Sequence, residues 1–407
     1  MPVDLLASQK AHFLGLRAAE FDSLVRAWGW PTFRAQQVRD WSYGKLIDRA
    51  DAMTNLGKGD RALLAQRLDV TTSRIVSQQT SNDGTIKLLL AWPDGAQAET
   101  VMIPDGERRT ACVSSQVGCP VGCRFCASGV NGVKGNLTAG QIVEQVYRLN
   151  QILARRHASH RAGDGAALCE SDRDVVSRKK IGTGAISFPG ESGADAVREA
   201  HDVRVTNVVF MGMGEPMSNY ANVMQAVRIL NDPKCFHIGA RRITISTVGV
   251  PAKMLELAEE ELPINLALSL HAPNEPLRRE LIPWAEHFAL PDILDACRVY
   301  FERTGREITL EYILLAGVND RPEHARELAQ LCRTMRANVN LIRYNEVTGL
   351  PYKRPVSKDV VTFQEILRRN GVNAHVRKSR GRDIDAACGQ LRRKQEQERA
   401  AAAATTT

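Results

Sequence analysis

From residue 110 onward, short apolar runs alternate with segments whose apolar residues recur at helical spacing. The runs TACVSSQ (110–116), VTNVVFM (205–211), RITISTV (242–248), INLALSL (264–270), ITLEYILL (308–315) and NVNLIRY (338–344) are rich in β-branched residues. Such residues suit a pleated surface. Several runs are apolar without alternation, as strands covered on both faces are. Amphipathic segments near 138–155, 220–230, 251–261, 291–303, 323–336 and 359–370 separate or follow them. The pattern predicts an α/β fold of six βα units. Six units fit a partial (β/α)6 TIM-like barrel, although a doubly wound sheet has the same local signature. In either case, reactive side chains belong at the C-terminal ends of the strands.

Residues 1–95 follow another rhythm. AAEFDSLVRAWGWPTFRAQQVRDWSYGKL has helical spacing, Pro31 opens a second helix, and 48–68 form another helical stretch. TIKLLLAWPDG and AETVMI then read as strand, turn and strand. The expected organisation is a small N-terminal helical domain over 1–95, ending in a β-hairpin, and a core over 96–390. Within the core, residues 156–203 are rich in Gly, Ala and charge and read as a mobile insertion. The tail, 391–407, is basic and then low in complexity.

Composition narrows the class. Of 407 residues, 43% are hydrophobic and 25% charged, as in a folded soluble protein. No run of 18 apolar residues occurs, so no membrane-spanning helix is expected. The net charge of +8 is compatible with a polyanionic partner without identifying one. Basic runs at 377–382 and 392–394 are more pointed. Nine cysteines are too few for a disulfide scaffold, and the N-terminus lacks a secretory pattern. A reducing, cytoplasmic setting is expected.

The cysteines supply the strongest local signal. Cys119-Pro-Val-Gly-Cys123-Arg-Phe-Cys126 places three thiols in a Gly- and Pro-containing loop after a strand. Thiolates suit zinc and iron–sulfur iron alike. A closed zinc site needs four protein ligands, whereas a [4Fe–4S] cluster held by three keeps one iron open. Zinc completed by a His or a remote Cys is the competing reading. Cys112 and Cys388 are not local ligands, and composition alone makes each a buried structural cysteine.

The C-x3-C-x2-C trio matches the motif of radical S-adenosylmethionine enzymes. CVSSQVGC (112–119), NLTAGQIVEQV (136–146), TNVVFMGMGEPMSNY (206–220), RRITISTVGV (241–250), ALSLHAPN (267–274), LEYILLAGVND (310–320) and RGRDIDAACGQL (380–391) carry a wider likeness. They resemble the dual-specificity adenosine C2 methyltransferases of 23S ribosomal RNA and transfer RNA. The resemblance implies the radical S-adenosylmethionine type of partial barrel. It implies a [4Fe–4S] cluster on Cys119, Cys123 and Cys126, and two molecules of S-adenosylmethionine per turnover. Gly214, Glu215, Ser246, Ser269, His271 and Asn345 match the family's S-adenosylmethionine contacts. Cys388 matches the cysteine that is methylated, Cys112 its resolving partner in a transient disulfide, and Glu99 a proton acceptor. Taken alone, Glu99 is a polar residue on a solvent-facing strand. Implied partners are 23S rRNA, tRNA, a one-electron donor such as flavodoxin or ferredoxin, and a disulfide reductant, acting on a monomer. Close relatives that methylate adenosine C8, and a non-enzymatic iron–sulfur RNA-binding protein, are the alternatives.

Overall fold

The structure, a computed structural model, describes residues 10–161 and 203–384. Cys388, most of the expected insertion and the 391–407 tail lie outside the described residues.

The N-terminal region holds β1 (Ala11–His12), α1 (Ala18–Ala27), α2 (Phe33–Arg39), α3 (Lys58–Arg67) and β2 (Leu68–Asp69). β1 and β2 pair in parallel. Phe13, Phe21 and Tyr43 bury their rings together, with centroids 4.8 and 5.0 Å from Phe13. Next come β3 (Arg74–Thr80), β4 (Ile86–Ala91), β5 (Gln97–Asp105) and β6 (Arg108–Cys112). A hairpin of β7 (Gln116–Gly118) and β8 (Val133–Asn136) brackets the cysteine loop. It leads into α4 (Ala139–Arg161). The later units are β9 (Asn207–Phe210), α5 (Tyr220–Asn231), β10 (Ile243–Thr247), α6 (Pro251–Ala258) and β11 (Asn265–Ser269). Two helices follow, α7 (Glu275–Leu281) and α8 (Leu290–Thr304). β12 (Ile308–Leu314), α9 (Pro322–Cys332), β13 (Ala337–Arg343), α10 (Ser357–Arg369) and β14 (Ala374–Val376) complete the series.

One ten-stranded sheet runs in the order β14-β13-β12-β11-β10-β9-β6-β5-β4-β3. β6 and β9–β14 are parallel; β3 to β6 are antiparallel neighbours. The six expected barrel strands are all present. β14 extends them on one edge and β3–β5 on the other. The boundary expected at residue 95 falls between β4 and β5, which pair over Ile86–Ala91 and Gln97–Met102. Hairpin and core therefore share one sheet, and N-terminal helices and barrel share one apolar core.

Three elements depart from the sequence pattern for physical reasons. The strand expected over 110–116 stops at Cys112, because the Ser114 backbone bonds the Gln145 side chain instead of a neighbouring strand. β3 is largely polar and lies at the sheet edge, so it has no buried apolar run to betray it. α7 is short, but Asn274 caps it by accepting from the Leu277 amide at 3.1 Å. Among the described residues, no helix is long and apolar enough to cross a membrane.

α4 joins the two parts of the molecule. Its buried Glu144 accepts from the amides of Thr72 and Ser73 at 2.9 and 2.8 Å and from Trp92 Nε1 at 2.9 Å. Buried donors left without an acceptor are costly. Glu144→Ala is predicted to destabilise the fold by about 3–5 kcal/mol. Urea unfolding checks this, and a loss under 1 kcal/mol contradicts it.

Candidate active site

The site begins where β6 ends. Ser114 accepts from the Met213 amide at 2.9 Å through Oγ and donates the same hydroxyl to the Glu99 carbonyl at 2.6 Å. Gln116 Oε1 accepts from the Glu215 amide at 2.8 Å. These bonds weld the approach to the cysteine loop onto the glycine turn after β9. The turn needs its glycines. A Cβ on Gly212 would lie 2.7 Å from Ser114 Oγ, and one on Gly214 would lie 2.6 Å from Gln116 Cβ. Gly214 also has φ +102°, a region that side chains disfavour.

The cysteine loop is pinned at several points. The Cys119 amide donates to the Gly132 carbonyl at 3.1 Å, and the Arg124 amide to the Leu281 carbonyl at 3.0 Å. Val121 and Phe125 pack in a second apolar cluster with Leu281 and Ile282 of the α7 region. Cys119, Cys123 and Cys126 all line one cavity of about 320 Å³ at the barrel mouth. Burial pushes the Cys119 thiol up to about 12, and burial with two neighbouring thiols holds Cys123 well above the usual thiol range. Buried Arg278 opposes this at Cys123.

The strand ends converge on the same cavity. Gly214, Glu215, Ser246, Ser269, His271 and Asn345 all line it. Ser246 Oγ and Ser269 Oγ are 3.2 Å apart. His271 Nδ1 accepts from the Ile313 amide at 3.1 Å, which leaves the ring proton on Nε2. Burial, helped by Arg278, lowers His271 to about 3, so the ring is neutral. Its φ of +57° is strained for a residue with a side chain. Asn319 holds this bend by donating to the His271 carbonyl at 2.8 Å. Arg354 Nη1 orients Asn345 through its Oδ1 at 2.8 Å. Glu215 differs from the simplest expectation. Its two carboxylate oxygens accept from the Met217 and Val248 amides, each at 2.9 Å. The side chain thus staples the ends of β9 and β10, leaving only second lone pairs and backbone carbonyls for an ammonium group.

Cys112 and Glu99 line the cavity as well. Glu99 is 4% exposed, so the solvent-facing reading of its strand gives way to a cavity-facing one. Burial pushes Cys112 up to about 11; Arg377 pulls it down and Glu99 pushes it up. Arg377 sits just past β14, where its amide donates to the Leu341 carbonyl at 2.9 Å. Two more cavity residues escape sequence reasoning. Glu311 of β12 is raised to about 6 by burial, against Arg377 and Asn340. Ser114 is simply a serine among serines until its bonds are seen. Residues 377–380, which lead toward Cys388, also line the cavity.

Comparison with known proteins agrees with this geometry. Residues 178–331 match the Radical SAM superfamily, and residues 11–70 match the ribosomal RNA large subunit methyltransferase N-terminal domain. A probable dual-specificity RNA methyltransferase RlmN of Bacillus thuringiensis subsp. konkukian is 40% identical over 390 residues, covering 96% of this chain and 95% of that protein. A Bacillus cereus (strain AH187) relative of the same description matches to the same extent. The chain belongs to the RlmN family. A crystal structure of a radical SAM methyltransferase from Sphaerobacter thermophilus is 40% identical, with a TM-score of 0.77 over 93% of this chain and 98% of that one. The chain therefore has the radical SAM fold and is a radical SAM RNA methyltransferase of the RlmN type.

RlmN membership implies a [4Fe–4S] cluster and S-adenosylmethionine, and the residues present fit both. Among the described residues, no three His, Cys, Asp or Glu close around a single ion. Three thiols that line one cavity can each take a separate iron of a cubane and leave the fourth iron to another ligand. Arg278 supplies a buried cation beside these thiols. Buried Ser128 Oγ lines the cavity and has no partner among the described residues, as a donor awaiting a ligand does. Gly214→Ala adds strain of about 1–3 kcal/mol. It is predicted to weaken S-adenosylmethionine binding roughly tenfold to hundredfold. Anaerobic titration calorimetry checks this; unaltered affinity contradicts it.

Proposed function

We propose that the chain methylates C2 of adenosine in 23S ribosomal RNA and in transfer RNA, through a methyl group carried on Cys388. The observation that carries this reading is the shared cavity, in which Cys112 and Glu99 accompany the three loop cysteines. The relatives' description as dual-specificity RNA methyltransferases supports two RNA classes.

Adenine C2 is a poor nucleophile, so direct attack on a sulfonium methyl is disfavoured. When bound, the reduced cluster and S-adenosylmethionine supply hydrogen abstraction by a 5′-deoxyadenosyl radical. The chain's residues do the rest. Cys388 takes a methyl group from a first S-adenosylmethionine as a thioether. After hydrogen abstraction its carbon adds to C2, forming the carbon–carbon bond, and the adduct's unpaired electron would return to the oxidised cluster. Glu99 accepts the C2 proton. The Cys112 thiolate attacks the sulfur of Cys388, the carbon–sulfur bond breaks, the freed methylene takes up a proton to become the methyl group, and the two sulfurs close a transient disulfide. Two S-adenosylmethionine molecules are used, one as methyl donor and one as radical source. A flavodoxin- or ferredoxin-like donor and a thiol reductant restore the starting state. A monomer in the reducing cytoplasm meets these needs.

The target base must leave its stack to reach a buried cavity. The N-terminal helical region and the basic residues near 377–382 are assigned to hold the folded RNA through its phosphates.

The test is anaerobic reconstitution with methyl-labelled S-adenosylmethionine and RNA, followed by mass spectrometry of the nucleosides. Label at C2 is expected, and label at C8 overturns the regiochemistry. Cys112→Ala is predicted to stall with RNA covalently attached to Cys388. In the unsubstituted enzyme the adduct's lifetime should shorten as pH rises from 7 to 9, because only the thiolate attacks and Cys112 titrates at about 11. Free product at the normal rate from Cys112→Ala contradicts the resolving role.

A further inference from the structure

We infer that the turn between β3 and β4 is a dock for the segment that carries Cys388, with Asp83 and Asp383 as paired positioning residues. This inference rests on the reading of Cys388 as methyl carrier and concerns how its segment is held.

The turn is rigid. The Ser81 amide donates to the Thr85 carbonyl at 2.8 Å, and the Gly84 amide to the Ser81 carbonyl at 3.0 Å. Gly84 takes φ +82°. Asp83 Oδ1 accepts from the Thr85 amide at 3.0 Å, which fixes its carboxylate. The other oxygen, Oδ2, accepts from the Gly381 amide at 2.8 Å. The arrangement is reciprocal. Asp383 Oδ1 accepts from Ser81 Oγ, and its Oδ2 accepts from the Asn82 amide at 3.0 Å. Arg380 adds a third tie, to Asp105 Oδ1 at 3.1 Å. Two segments some 300 residues apart in sequence thus exchange carboxylates for backbone and hydroxyl donors.

The clasp holds at neutral pH. Burial alone would raise Asp83, but bonds from Thr85 and Gly381 outweigh it and bring the group down to about 2. The Ser81 hydroxyl and the Asn82 amide hold Asp383 below the usual carboxylate range.

Its position in the chain gives the clasp a purpose. The Arg377 amide is fixed to β13, and residues 377–380 line the cavity. Along the chain, Cys388 lies eleven positions beyond the Arg377 anchor but only four beyond Ile384, where the clasped stretch ends. Four residues span at most about 14 Å. Effective concentration falls roughly as the −3/2 power of tether length, so the shorter tether gains about fivefold. The antiparallel strands β3–β5 lie outside the parallel barrel. They reach the rim where residues 380–384 cross.

The test compares Asp383→Ala, Asp383→Asn, Ser81→Ala and Cys388→Ala in the full-length, anaerobically reconstituted enzyme with RNA. It reads the rate of methylated adenosine formation, its yield per 5′-deoxyadenosine, and KM for S-adenosylmethionine. Asp383→Ala, which leaves the Gly381–Asp83 and Arg380–Asp105 ties in place, is expected to slow methylation about twofold and lower the yield per 5′-deoxyadenosine, with KM unchanged. Asp383→Asn keeps a carbonyl acceptor and should recover much of the loss. Ser81→Ala, on the opposite side, should shift both readouts the same way. Normal rate and yield in both Asp383→Ala and Ser81→Ala, with Cys388→Ala inactive, overturn the dock alone. Methylation that survives in Cys388→Ala overturns the reading on which the dock rests.

Discussion

The weld between the end of β6 and the glycine turn after β9 governs the rest of the site. Ser114 and Gln116 make it with bonds of 2.6 to 2.9 Å to Glu99, Met213 and Glu215. Each such bond is worth only about 1 kcal/mol net, but each buried group left unpaired costs about 1–3 kcal/mol. The contact is so close that Gly212 and Gly214 leave no room for a Cβ. The cysteine loop starts from one side of this weld and the strand-end contacts from the other. Their common cavity follows from that closeness and from the parallel strands, which all end on one rim.

α4 extends the same constraint outward. The side-chain amide of Gln145 accepts from the Ser114 amide and donates to the Ser114 carbonyl, while the adjacent Glu144 gathers donors from Thr72, Ser73 and Trp92. One helix thereby ties the N-terminal region to the chemical centre. A continuous apolar core beneath both makes the tie more than a polar contact. An RNA held by the N-terminal helices would be held relative to the cavity, not merely near it.

The barrel strands were legible because long apolar runs separated by helical periods have few other solutions. The cysteine trio was legible because its spacing is local. Cys112 and Glu99 became legible only through resemblance to a family, since their meaning depends on strands that meet in three dimensions. Glu311 was harder. A polar residue in a strand ordinarily faces solvent, whereas on the concave side of this sheet it faces the cavity. Glu215 was found for the right place in the chain, yet its carboxylate is occupied by backbone amides. The clasp of Asp83 and Asp383 joins segments with no sequence signal linking them. Hydrogen bonds between distant turns leave no period to read.

We propose that Cys119, Cys123 and Cys126 hold a cluster with one iron open to S-adenosylmethionine at this rim. Mössbauer spectroscopy of the ⁵⁷Fe-reconstituted protein, with and without S-adenosylmethionine, tests it most directly. A [4Fe–4S] cluster in which the signal of one iron shifts on addition of S-adenosylmethionine is expected. Four irons that do not respond, or one zinc per chain and no cluster, would contradict it.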